Sequence, residues 1–305
     1  MTDITQESTA GPIGQTDKNR QILVQNLLRL TALDEITSQF KAAGIPLLYL
    51  KGSAYLDTLY PDLGSRKMCD VDVLVQPKHR YQAGQTLESL GFARIGPENR
   101  PVTRQEHYEW VYIKNEPFPF VFELHESFCQ TQRYPIDYEQ IWQRALCYEV
   151  RGRSIPTLCP VDSLLYTALH EALHSFIIDH RSSEDMRRIV EVWRPDWHQV
   201  VEQAKAWKMT LALYVSLRAS ELQKGLSVPS WVVKALQPSA LRLAALRKII
   251  DLDHTGRSRA QHWNRWQQAL ALSLSIDETK QLARFVGYYG MLRGRDALRH
   301  LLSKL

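Results

Sequence analysis

The sequence predicts an α+β fold in its first half, followed by an all-helical second half. Short apolar runs typical of buried strands alternate with helical patterns up to about residue 158, and Gly and Pro residues separate them. Beyond that point, apolar residues recur at helical spacing almost to the end. We therefore expect a disordered tail over residues 1–18, a core domain over 19–158 and a helical domain over 159–305.

The first elements follow from the pattern between the N-terminus and residue 77. Residues 19–43 carry apolar side chains at helical spacing, and Gly44 follows as a helix-ending residue. The apolar run PLLYL at 46–50 predicts a buried strand, after which Lys51-Gly52-Ser53 opens a helix. A second apolar run, VDVLV at 71–75, predicts another buried strand that a proline stops.

The next elements alternate in the same way. Residues 78–90 have helical spacing and end at a glycine, and strand-like segments follow at 107–113 and 118–125. The segment CYEVRGRSIPTL, residues 147–158, predicts a hairpin that turns at Gly152. Asp162 is then predicted to be the N-cap of the first helix of the second half.

Composition and charge narrow the classes of partner. Hydrophobic residues at 44%, charged residues at 23% and a formal net charge of +5 are ordinary for a globular protein. Lys and Arg are scattered, so a nucleic-acid partner is allowed but not favoured. The four cysteines lack CxxC spacing, the N-terminus lacks a signal-peptide pattern, and no apolar run reaches the roughly 18 residues of a membrane span. We expect a cytoplasmic protein with reduced thiols and no membrane partner.

The sharpest local feature is CDVDVLV, in which Asp70 and Asp72 lie two residues apart at an apolar strand. Side chains at i and i+2 of a strand point to one face, so the two carboxylates converge. Neighbouring carboxylates repel each other unless a cation neutralises them, and Mg²⁺ prefers such oxygen ligands. A bare Asp-x-Asp is more often the exposed end of a strand. The surrounding residues must therefore distinguish a metal site from an exposed strand end.

Two neighbouring segments favour a site. Lys51-Gly52-Ser53 combines a close backbone approach at glycine, a hydroxyl and a helix N-terminus, which attracts phosphate. Downstream, PFVFELHESF predicts a strand with Glu123 and His125 on one face. Glu123 is the candidate third carboxylate if this strand lies beside the Asp pair, and the alternative is a rim residue paired with an arginine. Glu109 and Glu126 are the next candidates.

Together these segments resemble the uncharacterised nucleotidyltransferase family of the DNA polymerase beta superfamily. The segment LYLKGSAYLDTLYPDLGSRKMCDVDVLV, a helix ending in ESLGF and the strand FELH carry the resemblance, which covers about residues 46–190. The matching residues are Lys51, Gly52, Tyr60, Pro61, Arg66, Asp70, Asp72 and Glu123 to His125. The resemblance implies a minimal polymerase beta-like nucleotidyltransferase core, a mixed sheet with helices, over 19–158.

The resemblance also implies an activity and a set of site residues. The enzyme would move a nucleoside monophosphate from an NTP such as ATP, with the base preference open, to an acceptor and release pyrophosphate. Asp70, Asp72 and Glu123 would be catalytic and hold Mg²⁺ or Mn²⁺; Lys51, Gly52, Ser53 and Arg66 would bind the nucleotide; His125 and His174 are candidate supporting residues. The acceptor stays open, with a small molecule or a protein side chain favoured over an RNA end.

A competing motif lies in the second half. His170-Glu171-x-x-His174 is a literal H-E-x-x-H with His180 beyond it, which suggests a zinc metalloprotease. Ile177 stands where the longer zinc signature has glycine, and the helix is otherwise an ordinary apolar core helix. We rank this alternative below nucleotidyl transfer. A catalytically inactive nucleotidyltransferase-fold module that regulates a partner is the third hypothesis, and the complete carboxylate set argues against it.

Overall fold

The computed structural model describes residues 12–95, 108–116, 118–130, 133–174, 176, 179–249, 276–280, 282–284, 286–287 and 290–291. Residues 1–11 of the predicted disordered tail lie outside the described residues, and residues 12–18 belong to the first helix. Within the described ranges, no helix combines the length and apolar character needed to cross a bilayer. The predicted α+β class is confirmed: a seven-stranded mixed sheet with helices is followed by a succession of helices.

The elements are as follows. The helices are α1 (Pro12–Ala42), α2 (Lys51–Thr58), α3 (Arg80–Ser89), α4 (Tyr138–Gln143), α5 (Pro160–Leu173), α6 (His180–Arg188), α7 (Trp197–Ala206), α8 (Thr210–Lys224), α9 (Ser230–Leu236) and α10 (Ala240–Ile249). The strands are β1 (Leu47–Leu50), β2 (Val71–Val75), β3 (Ala93–Ile95), β4 (Glu109–Lys114), β5 (Phe120–His125), β6 (Leu146–Val150) and β7 (Arg153–Thr157). A 3₁₀ turn (Pro77–His79) precedes α3, and a π-helical turn (Ile189–Trp193) follows α6.

The order of strands in the sheet is β3-β4-β5-β2-β1-β7-β6. The two central apolar runs, β1 and β2, are buried along their whole length and pair antiparallel, with Leu50 opposite Asp72. Buried strands of this kind read as continuous apolar runs because both faces are covered. Strand β5 lies beside β2, which confirms that the strand of Glu123 neighbours the strand of Asp72.

The predicted helix end and hairpin turn are also observed. Gly44 has a φ of 68°, and Ile45 donates its N–H to the carbonyl of Phe40 at 2.8 Å, which closes α1 in the manner expected of a glycine C′ residue. Between β6 and β7, Arg151 and Gly152 have φ values of 53° and 75°. Positive φ at both central residues is the geometry that suits a tight hairpin.

The start of α5 differs from the prediction. The helix begins at Pro160 with Cys159 as its N-cap, so the prediction that Asp162 is the N-cap was wrong. Proline at the first helical position has its φ already set for the helix and lacks only an N–H that would be unsatisfied there. Asp162 is instead buried in the first turn, where its two oxygens accept hydrogen bonds from Arg144 at 2.6 and 2.7 Å.

A buried carboxylate ties α2 to the hairpin. Asp57, in α2, accepts hydrogen bonds from Arg151 at 2.9 Å and from Arg153. Arg153 also binds Asp34 of α1, with its Nη2 at 2.6 Å from Oδ1. The four residues form one ion-pair network, called here the Asp57 network, which connects α1, α2 and the β6–β7 turn.

The chain divides into two compact units. The first consists of Met1–Gly96, Val111–Leu124 and Tyr148–Pro156; the second consists of Pro97–Trp110, His125–Cys147 and Thr157–Leu305. The division passes through β4 and β5, so it does not coincide with the predicted boundary between 158 and 159. That boundary stays a prediction.

The helices of the second unit pack around an aromatic group. The rings of Phe128 and Tyr166 lie 4.5 Å apart between centroids, and Phe128 lies 6.1 Å from Trp207. Near the C-terminus, Asp277 accepts hydrogen bonds from the N–H and hydroxyl of Thr210 at 2.6 and 2.7 Å. Asp277 thereby caps α8 from a distant part of the chain, as a local N-cap residue would.

Candidate active site

Asp72 occupies the middle of the sheet. Its side chain is 1% exposed, on β2 between β1 and β5. Asp70 immediately precedes β2 and is partly exposed. The two predicted aspartates therefore have different surroundings: one is enclosed by the sheet and the other lies at the entrance to the strand.

Three side chains converge at this point. Asp72, Glu123 and His125 each offer one ligand atom, and these atoms all lie within 4.8 Å of one another. Asp72 and His125 are buried, whereas Glu123 is half-buried. Glu123 and His125 are two residues apart on β5, so they share a face as predicted. No other group of three or more His, Cys, Asp or Glu ligands forms among the described residues, and Asp70 is not a member of this one.

Lys51 brings a cation to the same place. Its Nζ lies 2.8 Å from Oδ1 of Asp72, and its side chain is 18% exposed. Burial by itself would lower the pKa of Lys51, but the carboxylates of Asp72, Glu123 and Asp70 together outweigh that effect, and the pKa is raised. Lys51 is therefore a charged ammonium group bound to the carboxylates.

Gly52 and Arg66 depend on each other. A Cβ atom added at Gly52 would lie 2.5 Å from Nη1 of Arg66, so only glycine leaves room for the guanidinium in its present place. Arg66 is buried, and its guanidinium carbon lies 5.9 Å from the centroid of the Tyr60 ring. These contacts hold Arg66 against Gly52, the residue that follows Lys51 in the first turn of α2.

The hydroxyl of Ser53 is occupied by the main chain. Ser53 is fully buried, and its Oγ lies 2.5 Å from the carbonyl of Leu50 and 2.7 Å from the carbonyl of Asp72. Its single O–H can donate to only one of these carbonyls at a time. The contacts fix the start of α2 against the end of β1 and the middle of β2.

His125 has a carboxylate neighbour that the sequence did not single out for this role. Nδ1 of His125 lies 3.5 Å from Oε2 of Glu109, which begins the neighbouring strand β4. The rings of Tyr108 and His125 have centroids 6.4 Å apart. Glu109 was a fallback candidate for the third carboxylate; the structure places it against the histidine of the cluster instead.

The competing zinc motif does not form a comparable site. The rings of His170 and His174 have centroids 4.4 Å apart, but no third ligand joins them within the described part of the chain. Glu171, which would have to contact a metal-bound water in a protease, is buried, and burial raises its pKa to about 7. The zinc protease is not favoured. His174 lies in the second unit, and its supporting role stays a prediction.

One protein-family model matches the sequence. The family is described as uncharacterised nucleotidyltransferase, and the match extends over residues 16–222. No curated protein shows a significant match to the chain.

Solved structures show weaker similarity. A lincosamide antibiotic adenylyltransferase, LnuA, bound to lincomycin is 13% identical, with a TM-score of 0.37 over 52% of this chain and 95% of that one. ANT(2″)-Ia in complex with adenylyl-2″-tobramycin is 14% identical, with a TM-score of 0.39 over 59% and 97%. An antigenic nucleotidyltransferase-like protein from Paracoccidioides brasiliensis is 15% identical, with a TM-score of 0.32 over 87% and 96%. Similarities of this size carry no argument about substrates.

Proposed function

Because the chain belongs to the uncharacterised nucleotidyltransferase family, we propose that it transfers a nucleoside monophosphate from an NTP to an acceptor hydroxyl with the help of a divalent cation. The observation that carries the proposal is the convergence of Asp72, Glu123 and His125 on neighbouring strands, beside the Lys51–Gly52 turn. The acceptor that we favour is a small molecule or a protein side chain, because the basic residues of the sequence are scattered.

The cluster has the chemistry to hold Mg²⁺ or Mn²⁺. The three ligand atoms lie within 4.8 Å of one another, and the two carboxylates supply the oxygen ligands that Mg²⁺ and Mn²⁺ prefer. A bound divalent cation would neutralise the triphosphate and polarise the acceptor oxygen. We assign Asp70, at the entrance to β2, as a further ligand.

The reaction requires one bond to form and one to break. The acceptor oxygen bonds to the α-phosphorus, and the bond from that phosphorus to the bridging oxygen of the β-phosphate breaks, so pyrophosphate leaves with its electron pair. Glu123 is more exposed than Asp72 and is therefore better placed to accept the proton of the acceptor hydroxyl. Asp72, enclosed by the sheet, keeps the ligand geometry fixed.

The first turn of α2 is the proposed phosphate-binding segment. Lys51 and Arg66 supply positive charge, and Gly52 leaves room for the guanidinium of Arg66 against this turn. Ser53 positions this turn through its contacts with the main chain rather than by touching the phosphates. Together they would hold the triphosphate beside the carboxylates.

The remaining supporting roles belong to the same proposal. Glu109 would orient the ring of His125, because its carboxylate lies 3.5 Å from Nδ1 and favours the ring position in which the other nitrogen is the ligand. The cytoplasm is the proposed location, on the basis of the scattered cysteines and the sequence features described above.

The experiment that tests the proposal is a labelled-nucleotide screen. The purified protein is incubated with each α-³²P-labelled NTP, Mg²⁺ or Mn²⁺, and fractionated cell extract. We expect label to enter a new product with release of pyrophosphate, and to stay in the NTP with Asp72→Asn. If no NTP donates label in any fraction, the inactive regulatory module becomes the better hypothesis.

A further inference from the structure

The ammonium group of Lys51 places a positive charge at the carboxylate cluster. Nζ of Lys51 lies 2.8 Å from Oδ1 of Asp72, whose side chain is 1% exposed. Glu123 and Asp70 also lie close enough to interact electrostatically with the ammonium group. One lysine therefore faces three carboxylates, and it contacts the carboxylate group of Asp72 that a divalent cation would also bind.

The backbone holds Lys51 in this place at a cost. Its φ is 43°, in the left-handed region that non-glycine residues rarely adopt. Residues kept in such a conformation persist when the surrounding structure over-determines them, and they concentrate at functional sites. Here the buried hydroxyl of Ser53 and the contact of Gly52 with Arg66 fix the residues that follow. The strained turn points the lysine at Asp72.

We propose that Lys51 is the built-in counter-ion of the cluster, and that it leaves Asp72 for the triphosphate of the nucleotide when a divalent cation binds. This inference rests on the proposed function. An ammonium group and a dication at the same carboxylate group repel each other, so the two compete for Asp72. The lysine has a flexible four-carbon stem and is 18% exposed, which gives it room to move.

The competition has two consequences of opposite sign. Without nucleotide, Lys51 weakens cation binding, because the cation must displace an ammonium group from Asp72. With nucleotide, Lys51 strengthens binding, because the displaced ammonium group gains a phosphate partner. The cation therefore binds tightly only together with the nucleotide, which keeps the cluster from binding metal by itself.

Mn²⁺ titration of the full chain, followed by electron paramagnetic resonance, tests the inference. With Mn²⁺ alone, we expect Lys51→Met to bind roughly tenfold more tightly than the wild type, equivalent to about 1.4 kcal/mol. With Mn²⁺ and a non-hydrolysable NTP analogue, the same variant should bind the analogue roughly tenfold more weakly. Lys51→Arg keeps the charge and should match the wild type in Mn²⁺ alone. Lys78→Met removes an exposed lysine and serves as the control, with no change in either titration.

The outcomes separate this inference from the proposed function. If Lys51→Met changes both affinities in the same direction, or neither, the competition does not exist although the metal site does. If no variant binds Mn²⁺, with or without the analogue, the proposed function fails and the inference with it. A crystal structure with Mg²⁺ and the analogue gives the direct view. We expect Nζ of Lys51 on a phosphate oxygen, and Nζ still at Asp72 beside the bound metal would overturn the inference.

Discussion

The Asp57 network predicts how strongly one buried carboxylate supports the first unit. The perturbation is Asp57→Asn, which keeps the shape of the side chain and removes its charge. In the folded protein Asp57 is 1% exposed and accepts hydrogen bonds from both Arg151 and Arg153. The substitution leaves two guanidinium groups facing a neutral amide.

The loss of unfolding free energy depends on the solvation and the ion-pair partners that Arg151 and Arg153 retain in the variant. Breaking a buried ion pair by removing one partner costs roughly 3–5 kcal/mol. Arg151 is 37% exposed and can be solvated, and Arg153 keeps its pair with Asp34. We therefore expect the lower part of that range or slightly less, about 2–3 kcal/mol.

The matched control is Asp34→Asn, which removes a carboxylate from the same arginine. Asp34 is 49% exposed, and exposed ion pairs contribute less than about 1 kcal/mol. Thermal unfolding followed by circular dichroism should show a Tm lower by roughly 5–10 °C for Asp57→Asn, and little change for Asp34→Asn. Equal shifts for the two variants would refute the reasoning, because burial would then not decide the contribution.

Three further predictions concern the site and the second unit. Glu123→Gln should lower nucleotide transfer by about 10²-fold or more with the fold intact, because one positioned charge is lost. The control, Glu35→Gln on the exposed face of α1, should have no effect. Near-normal transfer by Glu123→Gln would exclude Glu123 as a catalytic carboxylate. Gly52→Ala should raise the KM for the NTP several-fold with little loss of stability, because the new Cβ displaces the guanidinium of Arg66; an unchanged KM would remove Arg66 from the nucleotide site. Burial raises the pKa of Glu171 to about 7, so the folded state binds more protons than the unfolded state between pH 4.5 and 7, and stability falls as pH rises through that window. Between pH 4 and pH 8, the free energy of unfolding of Glu171→Gln should therefore rise by up to roughly 3 kcal/mol relative to that of the wild type, as measured by denaturant titration. A difference between the two proteins that does not change with pH would contradict the prediction.

The sequence predicted those parts of the fold in which a local residue pattern specifies a strand, a turn or a helix end. The short apolar runs around Asp72 and before Lys51 favour buried strands, as the structure shows. Gly44 and Gly152 mark a helix end and a turn by their backbone freedom. Strand β3 was missed because its three residues are exposed and carry no apolar alternation. The start of α5 was misplaced because Asp162 looks like a cap but is paired with a distant arginine.

The sequence indicated the strands of the cluster, but neither the internal contacts of the cluster nor the position of Asp70 outside it. The spacing of Glu123 and His125 placed both on one strand face, and the structure brings both to Asp72. The ion pair of Lys51 with Asp72 was not foreseen, since it depends on the antiparallel register that sets Leu50 opposite Asp72. The contact of Glu109 with His125 likewise depends on the order of strands, which no local pattern specifies.

Metal-dependent nucleotidyl transfer at the carboxylate cluster is tested most directly by one side-by-side rate measurement. Wild type and Asp72→Asn are compared for transfer of label from an α-³²P-labelled NTP, with added Mg²⁺ or Mn²⁺ and with the cation chelated. We predict transfer by the wild type only when a divalent cation is present, and a loss of about 10²-fold or more in Asp72→Asn, with both proteins equally folded. Transfer that survives chelation, or that proceeds equally in Asp72→Asn, would contradict it.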